Sequence, residues 1–353
     1  MEKGTPERDF KQMIKSVNDN DEAVFMSYQN ENNPIFYKEQ KRWIEEAIFK
    51  KGQGSSLTVD FENFEKETDT TGTVTLKVDM TTPGNGSSTN YIKYQTIRVN
   101  DKWVLNDVPF EEMKSETENI TVYYNQGEEE AAKKTLKDAT DIVNYYKKKF
   151  SWNPGPLSIK LYPTPGEVSA TVPWVSLAGW NEGGESIEIT TELTKEIFRF
   201  LTHELTHKML GDLTNDNASI YIQEGFASYL EISVYRDENG EVQFDPNRAK
   251  EMTTLSLKKK KSVKTIEELG NIDYTDPEGS MYRDGFLLFN YLIETNGLDK
   301  FFEMIHCLSK FDYIDKRGEH KMDKTQERTV EAIEKIYGPA GDVSSNCQAF
   351  YSK

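Results

Sequence analysis

Apolar and polar residues in the first 115 positions follow two different periods in turn. The first part repeats its apolar residues every three or four positions, as at Met13 and Val17, which is typical of amphipathic helices. This period predicts helices over residues 6–28 and 34–51. From residue 55 to residue 108 apolar and polar residues alternate, which predicts a meander of strands. The apolar residues of these strands are Leu57, Val59 and Phe61, then Val74, Leu76 and Val78, then Tyr91, Tyr94 and Ile97, then Trp103, Val104 and Leu105.

This order of elements ends in the sequence Lys-Trp-Val-Leu-Asn-Asp-Val, residues 102–108. Helices followed by such a meander resemble the NTF2-like family, in which helices pack as a cone on a curved antiparallel sheet. The resemblance covers about residues 5–112 and includes no catalytic residue. It implies an NTF2-like accessory or docking domain over residues 1–115. The charged segment from Glu111 to Glu118 is the candidate linker that follows it.

Beyond residue 118 the pattern becomes mainly helical, with a few short strands. The strands are predicted at Ile120–Tyr124, Ser158–Tyr162 and Ser186–Thr190, and a long helix is predicted over about residues 127–150. Further helices are predicted at 195–210, 218–234, 280–296, 298–310 and 325–336. For the helix 195–210, Thr194 is the expected N-cap and Gly211 the residue after the C-cap. For the helix 218–234 the expected cap is Asn217.

The charge balance excludes one class of function. Acidic residues outnumber basic ones by 60 to 43, which gives a formal net charge of −17. A protein that neutralises phosphates needs a net basic surface, so no nucleic-acid partner is expected. The longest apolar run, Phe286–Ile293, is far shorter than the roughly 18–20 residues that a membrane span requires, so no membrane span is expected in this chain.

Two cysteines, Cys307 and Cys347, are too few for a disulfide scaffold or for a cysteine-type zinc site. They leave two alternatives open, one bridge that holds the C-terminal tail or two free thiols.

The segment His203-Glu-Leu-Thr-His207 lies inside the predicted helix 195–210. At 100° per residue the two histidines lie about 40° apart around the helix and one turn apart, so both imidazoles can reach one metal ion. Glu204 projects about 60° to one side of His207, where it can address a water without ligating the metal. Two imidazole ligands and a carboxylate base are the set that zinc hydrolysis uses. The alternatives are an exposed helix face with two surface histidines or a buried, hydrogen-bonded pair.

The next predicted helix offers a third ligand. Glu224 follows His207 by seventeen positions, and the segment 211–217 can reverse the chain so that the two helices run antiparallel. Gly225 costs about 1 kcal/mol against alanine inside a helix, so a packing reason is expected. Close approach of the two metal-bearing helices supplies that reason.

The sequences of residues 203–213 and 221–231 together resemble the gluzincin metallopeptidases, particularly the aminopeptidase N type and the broader peptidase MA-like families. The resemblance covers about residues 118–310. It implies a mainly helical, thermolysin-like zincin domain with a small sheet over residues 118–353, and an α+β protein overall. The loop between the second histidine and the ligand glutamate has sixteen residues here, against eighteen in the aminopeptidase type.

Carried over residue by residue, the resemblance implies one Zn²⁺ per chain. His203, His207 and Glu224 would be its ligands, and Glu204 would be the general base. It also implies a peptide or protein substrate.

A further resemblance lies in the sequence Met-Tyr-Arg-Asp-Gly, residues 281–285. The family has a Tyr-x-Lys-Gly segment there, whose tyrosine donates to the oxyanion. Tyr282 and Gly285 match it, whereas Asp284 replaces the lysine. A phenol suits the role because it donates a hydrogen bond while it stays neutral at pH 7. The alternative is that Tyr282 only packs against a helix N-terminus.

The Gly-x-Met-Glu-Asn strand, with which the aminopeptidases hold a substrate's free amine, has no match in the region 177–190. Glu182 and Glu185 are nearby, but their spacing does not support the role. We therefore expect an endopeptidase rather than an aminopeptidase. The strand Ser186–Thr190 is either an edge strand that pairs with an extended substrate or a plain strand of the sheet.

Taken together, the sequence predicts zinc-dependent peptide-bond hydrolysis by a metal-activated water. The alternative is a non-catalytic, zinc-containing binding or scaffold protein, which the presence of Glu204 disfavours because a structural site gains nothing from a base. The combination of an MA-like and an NTF2-like domain implies an extracytoplasmic bacterial protein, secreted or anchored at the cell surface, with its export signal absent from this chain. The cleavage preference and the oligomeric state stay open.

Overall fold

The computed structural model describes residues 4–259, 262–274, 276, 278–315 and 319–352. The chain divides into two compact units. The first consists of Met1–Leu136 and Pro156–Thr194, and the second of Lys137–Gly155 and Lys195–Lys353.

The N-terminal part of the first unit follows the predicted order of helices and strands. Its helices are α1 (Pro6–Asp19), α2 (Glu22–Met26) and α3 (Pro34–Gly52), and its strands are β1 (Ser56–Lys66), β2 (Thr71–Thr82), β3 (Gly86–Val99) and β4 (Lys102–Leu105). The strands form an antiparallel sheet in the order β1-β2-β3-β4. This curled sheet with its helices is compatible with the predicted NTF2-like cone.

The predicted helix 6–28 is interrupted. Asn20 adopts a left-handed conformation with φ of 57° and ends α1. The Asp21 side chain then accepts a hydrogen bond from the amide of Val24 and caps α2.

The second sheet is mixed. Its strands are β5 (Glu111–Lys114), β6 (Ile120–Tyr124), β7 (Leu157–Tyr162), β8 (Gly179–Trp180) and β9 (Ile187–Thr190). The helices α4 (Glu129–Phe150) and α5 (Pro165–Thr171) lie between them in sequence, and α4 from Lys137 onward belongs to the second unit. The strand order is β5-β6-β7-β9-β8, with β6, β7 and β9 parallel and the short strands β5 and β8 antiparallel at the edges.

This sheet bears on two of the sequence interpretations. The edge-strand alternative for residues 186–190 fails because β9 lies between β7 and β8, with Trp180 opposite Glu188. The candidate linker from Glu111 to Glu118 begins with β5, whose Glu111 pairs with Tyr124. Its charged side chains are typical of a linker, but its backbone belongs to the sheet.

The core of the first unit joins residues from both sides of that segment. One buried cluster contains Phe36, Trp43, Val74, Ile92 and Tyr94 together with Tyr162, Val168, Ala170 and Val172. The Trp43 indole also donates to the carbonyl of Ala170 over 2.8 Å. The compact units therefore do not divide the chain at residues 115–118, where the sequence predicts the boundary between domains 1–115 and 118–353.

The second unit is mainly helical. After a 3₁₀ turn at Thr191–Glu196 it continues as α6 (Ile197–Thr214), α7 (Ile220–Ser233), the hairpin β10 (Val234–Arg236) and β11 (Val242–Phe244), α8 (Pro246–Lys259), α9 (Ile266–Gly270), α10 (Ser280–Asn296), α11 (Leu298–Leu308), α12 (Glu319–Tyr337) and α13 (Ala340–Tyr351). The predicted helices are confirmed as elements, whereas α8, α9 and α13 were not predicted.

The ends of α6 and α7 differ from the prediction. Glu196, not Thr194, occupies the N-cap position of α6, and the helix continues through Gly211 until Asn215, whose φ of 53° ends it. Ser219, not Asn217, precedes α7. The Asn217 amide donates to the carbonyls of Thr214 and Asn215 instead, so it stabilises the reversal between the two helices.

The structure also decides between the alternatives for the cysteines, since Cys307 and Cys347 are both free thiols. Within the described ranges, no helix is long and apolar enough to cross a membrane.

Candidate metal centre

Helices α6 and α7 bring together the three residues that the sequence predicts as metal ligands. The Nε2 atoms of His203 and His207 lie 3.0 Å apart. The Oε2 atom of Glu224 lies 3.2 Å from the first and 3.5 Å from the second. Among the residues that the structure describes, this is the one group of at least three His, Cys, Asp or Glu side chains that could hold a metal ion.

The two oxygens of Glu224 have different surroundings. Glu224 is 3% exposed, and its Oε1 accepts a hydrogen bond of 2.9 Å from the Tyr274 hydroxyl. Its Oε2 makes no hydrogen bond with the described residues. This oxygen contacts two imidazole nitrogens without a well-aligned hydrogen bond, which suits a metal ligand.

The same contacts shift the protonation of the centre. Burial alone would lower the pKa of His203, but its contacts with Glu224 and Glu231 raise it well above the usual histidine value. Burial likewise opposes the ionisation of Glu224, yet the charge of the neighbouring histidines holds its pKa far below the usual range. Metal binding requires neutral imidazoles and an ionised carboxylate, so the metal affinity of such a group depends on pH.

A second carboxylate orients the first histidine. Glu231 Oε2 lies 2.8 Å from the Nδ1 atom of His203, and Glu231 Oε1 lies 2.6 Å from the Nε atom of Arg199. An Nδ1–H group that donates to a carboxylate leaves the Nε2 lone pair free for a metal.

Sequence reasoning missed Glu231 and Tyr274 as functional residues. Glu231 follows Glu224 by seven positions, which returns to the same helix face after two turns, so this spacing could have indicated it. Tyr274 lies outside the regular helices, fifty positions after Glu224, and no periodicity connects the two.

Glu204 is 8% exposed and lies outside the ligand group. Burial raises its pKa, although the charges of His203 and His207 oppose that effect. A buried carboxylate beside the two imidazoles is suitable for accepting a proton.

Tyr282 lies in the first turn of α10 and remains 43% exposed. Partial burial, together with the charges of Glu224, Glu204 and Glu231, raises the pKa of its phenol. The hydroxyl is therefore protonated at neutral pH and can donate a hydrogen bond.

Gly225 and Gly285 allow α7 and α10 to approach closely. A Cβ on Gly225 would lie 2.4 Å from the Gly285 carbonyl oxygen, and one on Gly285 would lie 2.5 Å from that of Tyr221. Gly225 thus has the packing reason that the sequence predicts, but the helix it contacts is α10 rather than α6. Asp284, at the position of the family's lysine, is buried and contacts Arg283.

Glu185 belongs to a different arrangement. In the first unit its Oε2 lies 2.6 Å from the Nε atom of Arg42, and both side chains are fully buried. This ion pair explains why Glu185 is unsuited to hold the amine of a substrate. Glu182 likewise lies in the first unit.

No family model matches the chain, and no curated protein matches it. A solved structure described as an NTF-2 like protein of unknown function from Shewanella oneidensis MR-1 is similar to 29% of this chain and 94% of its own chain. The sequence identity is 15% and the TM-score is 0.23, so it is a distant structural neighbour with an NTF2-like fold.

Proposed function

We propose that this protein is a zinc-dependent peptidase of the gluzincin type, with His203, His207 and Glu224 as its metal ligands. The observation that carries the proposal is the convergence of two imidazole nitrogens and one buried carboxylate oxygen that has no hydrogen bond of its own. Nitrogen and oxygen donors in this number are typical of catalytic zinc sites, which keep a fourth position for water or substrate.

The spacing of the donor atoms supports zinc. Around a tetrahedral ion with bonds of about 2.0–2.1 Å, ligand atoms lie about 3.3–3.4 Å apart. The three separations in the candidate centre are 3.0, 3.2 and 3.5 Å. One Zn²⁺ per chain therefore fits the donors without a large rearrangement.

Zinc bound there would supply a Lewis acid that polarises a peptide carbonyl and lowers the pKa of a water. In this proposal Glu204 takes the proton of the attacking water and passes it to the leaving amine. Tyr282 donates its hydroxyl hydrogen to the oxygen that becomes negative as the carbonyl is attacked. Glu231 and Tyr274 hold His203 and Glu224 in their orientations.

We propose an endopeptidase rather than an aminopeptidase, since Glu185 is committed to Arg42. The preferred substrates would be longer or N-blocked peptides. The NTF2-like part serves as an accessory or docking module in this proposal, and an extracytoplasmic location remains part of it.

The decisive variant is Glu204→Gln, because the amide keeps the shape of the side chain but cannot accept the proton. We expect the variant to keep about one zinc per chain and to lose about 10²–10⁴-fold in kcat on an N-blocked peptide library. Zinc content by elemental analysis and cleavage by mass spectrometry measure the two effects. Glu251→Gln, at an exposed position of α8, is the matched control and should cleave at the normal rate.

The other possible results of this experiment each have a definite interpretation. Near-normal cleavage by Glu204→Gln would remove Glu204 from the mechanism. A wild-type protein that binds zinc but cleaves no peptide would favour the non-catalytic zinc protein. A wild-type protein that binds no zinc would overturn the proposed function.

A further inference from the structure

A chain of polar contacts leads from the candidate centre to the protein surface. It starts at His203, whose side chain is 13% exposed, and passes through Glu231, which is 12% exposed. It ends at Arg199, whose side chain is 54% exposed. The first contact is a hydrogen bond of 2.8 Å, and the second is an ion pair of 2.6 Å.

The register of α6 and α7 creates this chain. Arg199, His203 and His207 follow one another at intervals of four along α6, which places them on one face. On α7, Glu224 faces the two histidines and Glu231 faces His203 and Arg199. Residues later in α6 contact residues earlier in α7. One antiparallel register of the two helices therefore brings all of these pairs into contact.

Arg199 determines which oxygen of Glu231 meets the histidine. Its Nε atom lies 2.6 Å from Oε1 in an ion pair, which leaves Oε2 for the Nδ1 atom of His203. A carboxylate fixed at both oxygens loses its freedom to rotate. The imidazole that depends on it then keeps one tautomer and one ring orientation.

We propose that Arg199 is a positioning residue of the candidate metal centre, which holds Glu231 against His203 and thereby increases the affinity of the centre for its metal. This inference rests on the zinc site of the proposed function. It concerns metal affinity, however, so it can fail while that function stands.

The direction in which metal affinity changes when Arg199 is removed distinguishes a positioning role from a purely electrostatic one. Arg199 places a positive charge near a site for a dication, so its removal should tighten metal binding if only its charge mattered. If Arg199 positions Glu231, its removal should weaken binding instead.

The experiment measures the zinc dissociation constant of the full chain by competition with a chromogenic chelator, at low and at high NaCl concentration. Arg199→Ala should raise the constant about 3- to 10-fold at low salt. This is less than the ~10–100-fold expected for a direct partner of a ligand. The difference from wild type should shrink at high salt, because salt screens an ion pair with one exposed partner.

Three variants serve as controls. Arg199→Lys should restore part of the affinity, because it keeps a cation without the planar guanidinium. Lys208→Ala removes another cation of α6, one that pairs with Asp212 rather than Glu231, and should leave the constant unchanged or slightly lower it. Glu196→Gln removes the other acidic partner of Arg199, at 3.4 Å, and should have no effect.

A second readout does not depend on affinity. In the Co²⁺-loaded protein, Arg199→Ala should change the visible absorption spectrum, which reports ligand geometry, whereas Lys208→Ala should not. Unchanged affinity and an unchanged spectrum in Arg199→Ala would overturn the inference while wild-type zinc binding stands. Tighter zinc binding in Arg199→Ala would also overturn it, in favour of the purely electrostatic account.

Discussion

The first compact unit and the candidate metal centre each bury several charged side chains, but they balance these charges differently. The group in the first unit, called here the ion cluster, contains Arg42 and Lys160 with the carboxylates Glu39, Asp107, Glu185 and Glu188. The centre contains His203 and His207 with Glu204, Glu224 and Glu231. Both groups hold more acidic than permanently cationic side chains.

In the ion cluster, the chain itself supplies the partners. Lys160 Nζ lies 2.5 Å from Glu39 Oε2 and 2.6 Å from Asp107 Oδ2. The amide of Ser186 donates to the other oxygen of Glu39 over 3.2 Å, and the Thr171 hydroxyl donates to Glu188. These contacts connect α3 to the strands β7 and β9, so the cluster stabilises the architecture of the unit.

In the candidate centre, one carboxylate oxygen has no well-aligned hydrogen bond to the described residues. Within the described part of the chain, Glu224 pairs with the two histidines and with Tyr274, and its Oε2 has no hydrogen bond. Among the described residues of the ion cluster, one buried atom also lacks a hydrogen bond, Nη1 of Arg42, but that atom is a donor, and each carboxylate of the cluster has a cation partner. Such pairing is typical of a structural role, whereas a carboxylate oxygen that converges with two imidazoles is a candidate for metal binding.

Among the variants that test this comparison, the largest expected effect is on the free energy of unfolding. Lys160→Met would leave the buried Glu39 and the half-buried Asp107 without their cation, and should lower the free energy of unfolding by about 3–5 kcal/mol. Urea unfolding followed by tryptophan fluorescence measures it. Lys93→Met is the control, since Lys93 pairs with Glu65 at the surface over 2.9 Å and should contribute less than ~1 kcal/mol. Equal small effects in both variants would contradict a structural role for the cluster.

The next effect is on catalysis. Tyr282→Phe removes the hydroxyl but keeps the ring, so zinc content and folding should persist. If the hydroxyl stabilises the oxyanion, kcat should fall by about 10²–10³, or ~2.7–4 kcal/mol, with little change in KM. Steady-state cleavage of an N-blocked peptide measures it, with Tyr91→Phe at an exposed position of β3 as control. A zinc-replete Tyr282→Phe protein with normal kcat would instead support the packing alternative.

The smallest expected effect is on the pH dependence of the free energy of unfolding. Burial, followed by the negative charge of Glu39, raises the pKa of Glu188 to about 8, although Arg42 and Lys160 oppose the shift. The folded protein thus binds this proton more tightly than the unfolded chain. The stability it contributes is complete below the unfolded pKa of about 4.5 and is lost as pH rises through about 8.

Between pH 7 and pH 8 this group should lower the free energy of unfolding by about 1 kcal/mol. Glu188→Gln cannot ionise and should lose that pH dependence, which urea unfolding at the two pH values measures. A wild-type and a variant protein with the same slope would show that Glu188 does not hold the proton.

The sequence predicts the candidate centre better than it predicts the ion cluster. Helical geometry relates His203 to His207 directly, and a short reversal brings Glu224 to them, so local rules are sufficient. Glu39 and Arg42 lie on a helix whose polar positions are typical of a solvated face. In the structure these positions face the strands of a second sheet, and the resulting pairs are separated by more than 120 residues in sequence. Such long-range contacts leave no periodic signal.

The strand at residues 111–114 was hidden for a related reason. The charge of residues 111–118 describes side chains, whereas membership of a sheet depends on the backbone. Similarly, Ser158–Tyr162 and Ser186–Thr190 were predicted as strands, but nothing in their composition shows that Lys160 and Glu188 would be buried.

The core shared by α3 and α5 has a consequence for the order of synthesis. Trp43 reaches its partner Ala170 only after 127 further residues have been made, and Arg42 waits 143 residues for Glu185. Until then the apolar face that includes Phe36, Ile92 and Tyr94 is only partly buried, because some of the residues that pack on it have not yet been made. A nascent chain that stops near residue 115 therefore carries an incomplete core, and the first unit closes only when the segment up to Thr190 has left the ribosome.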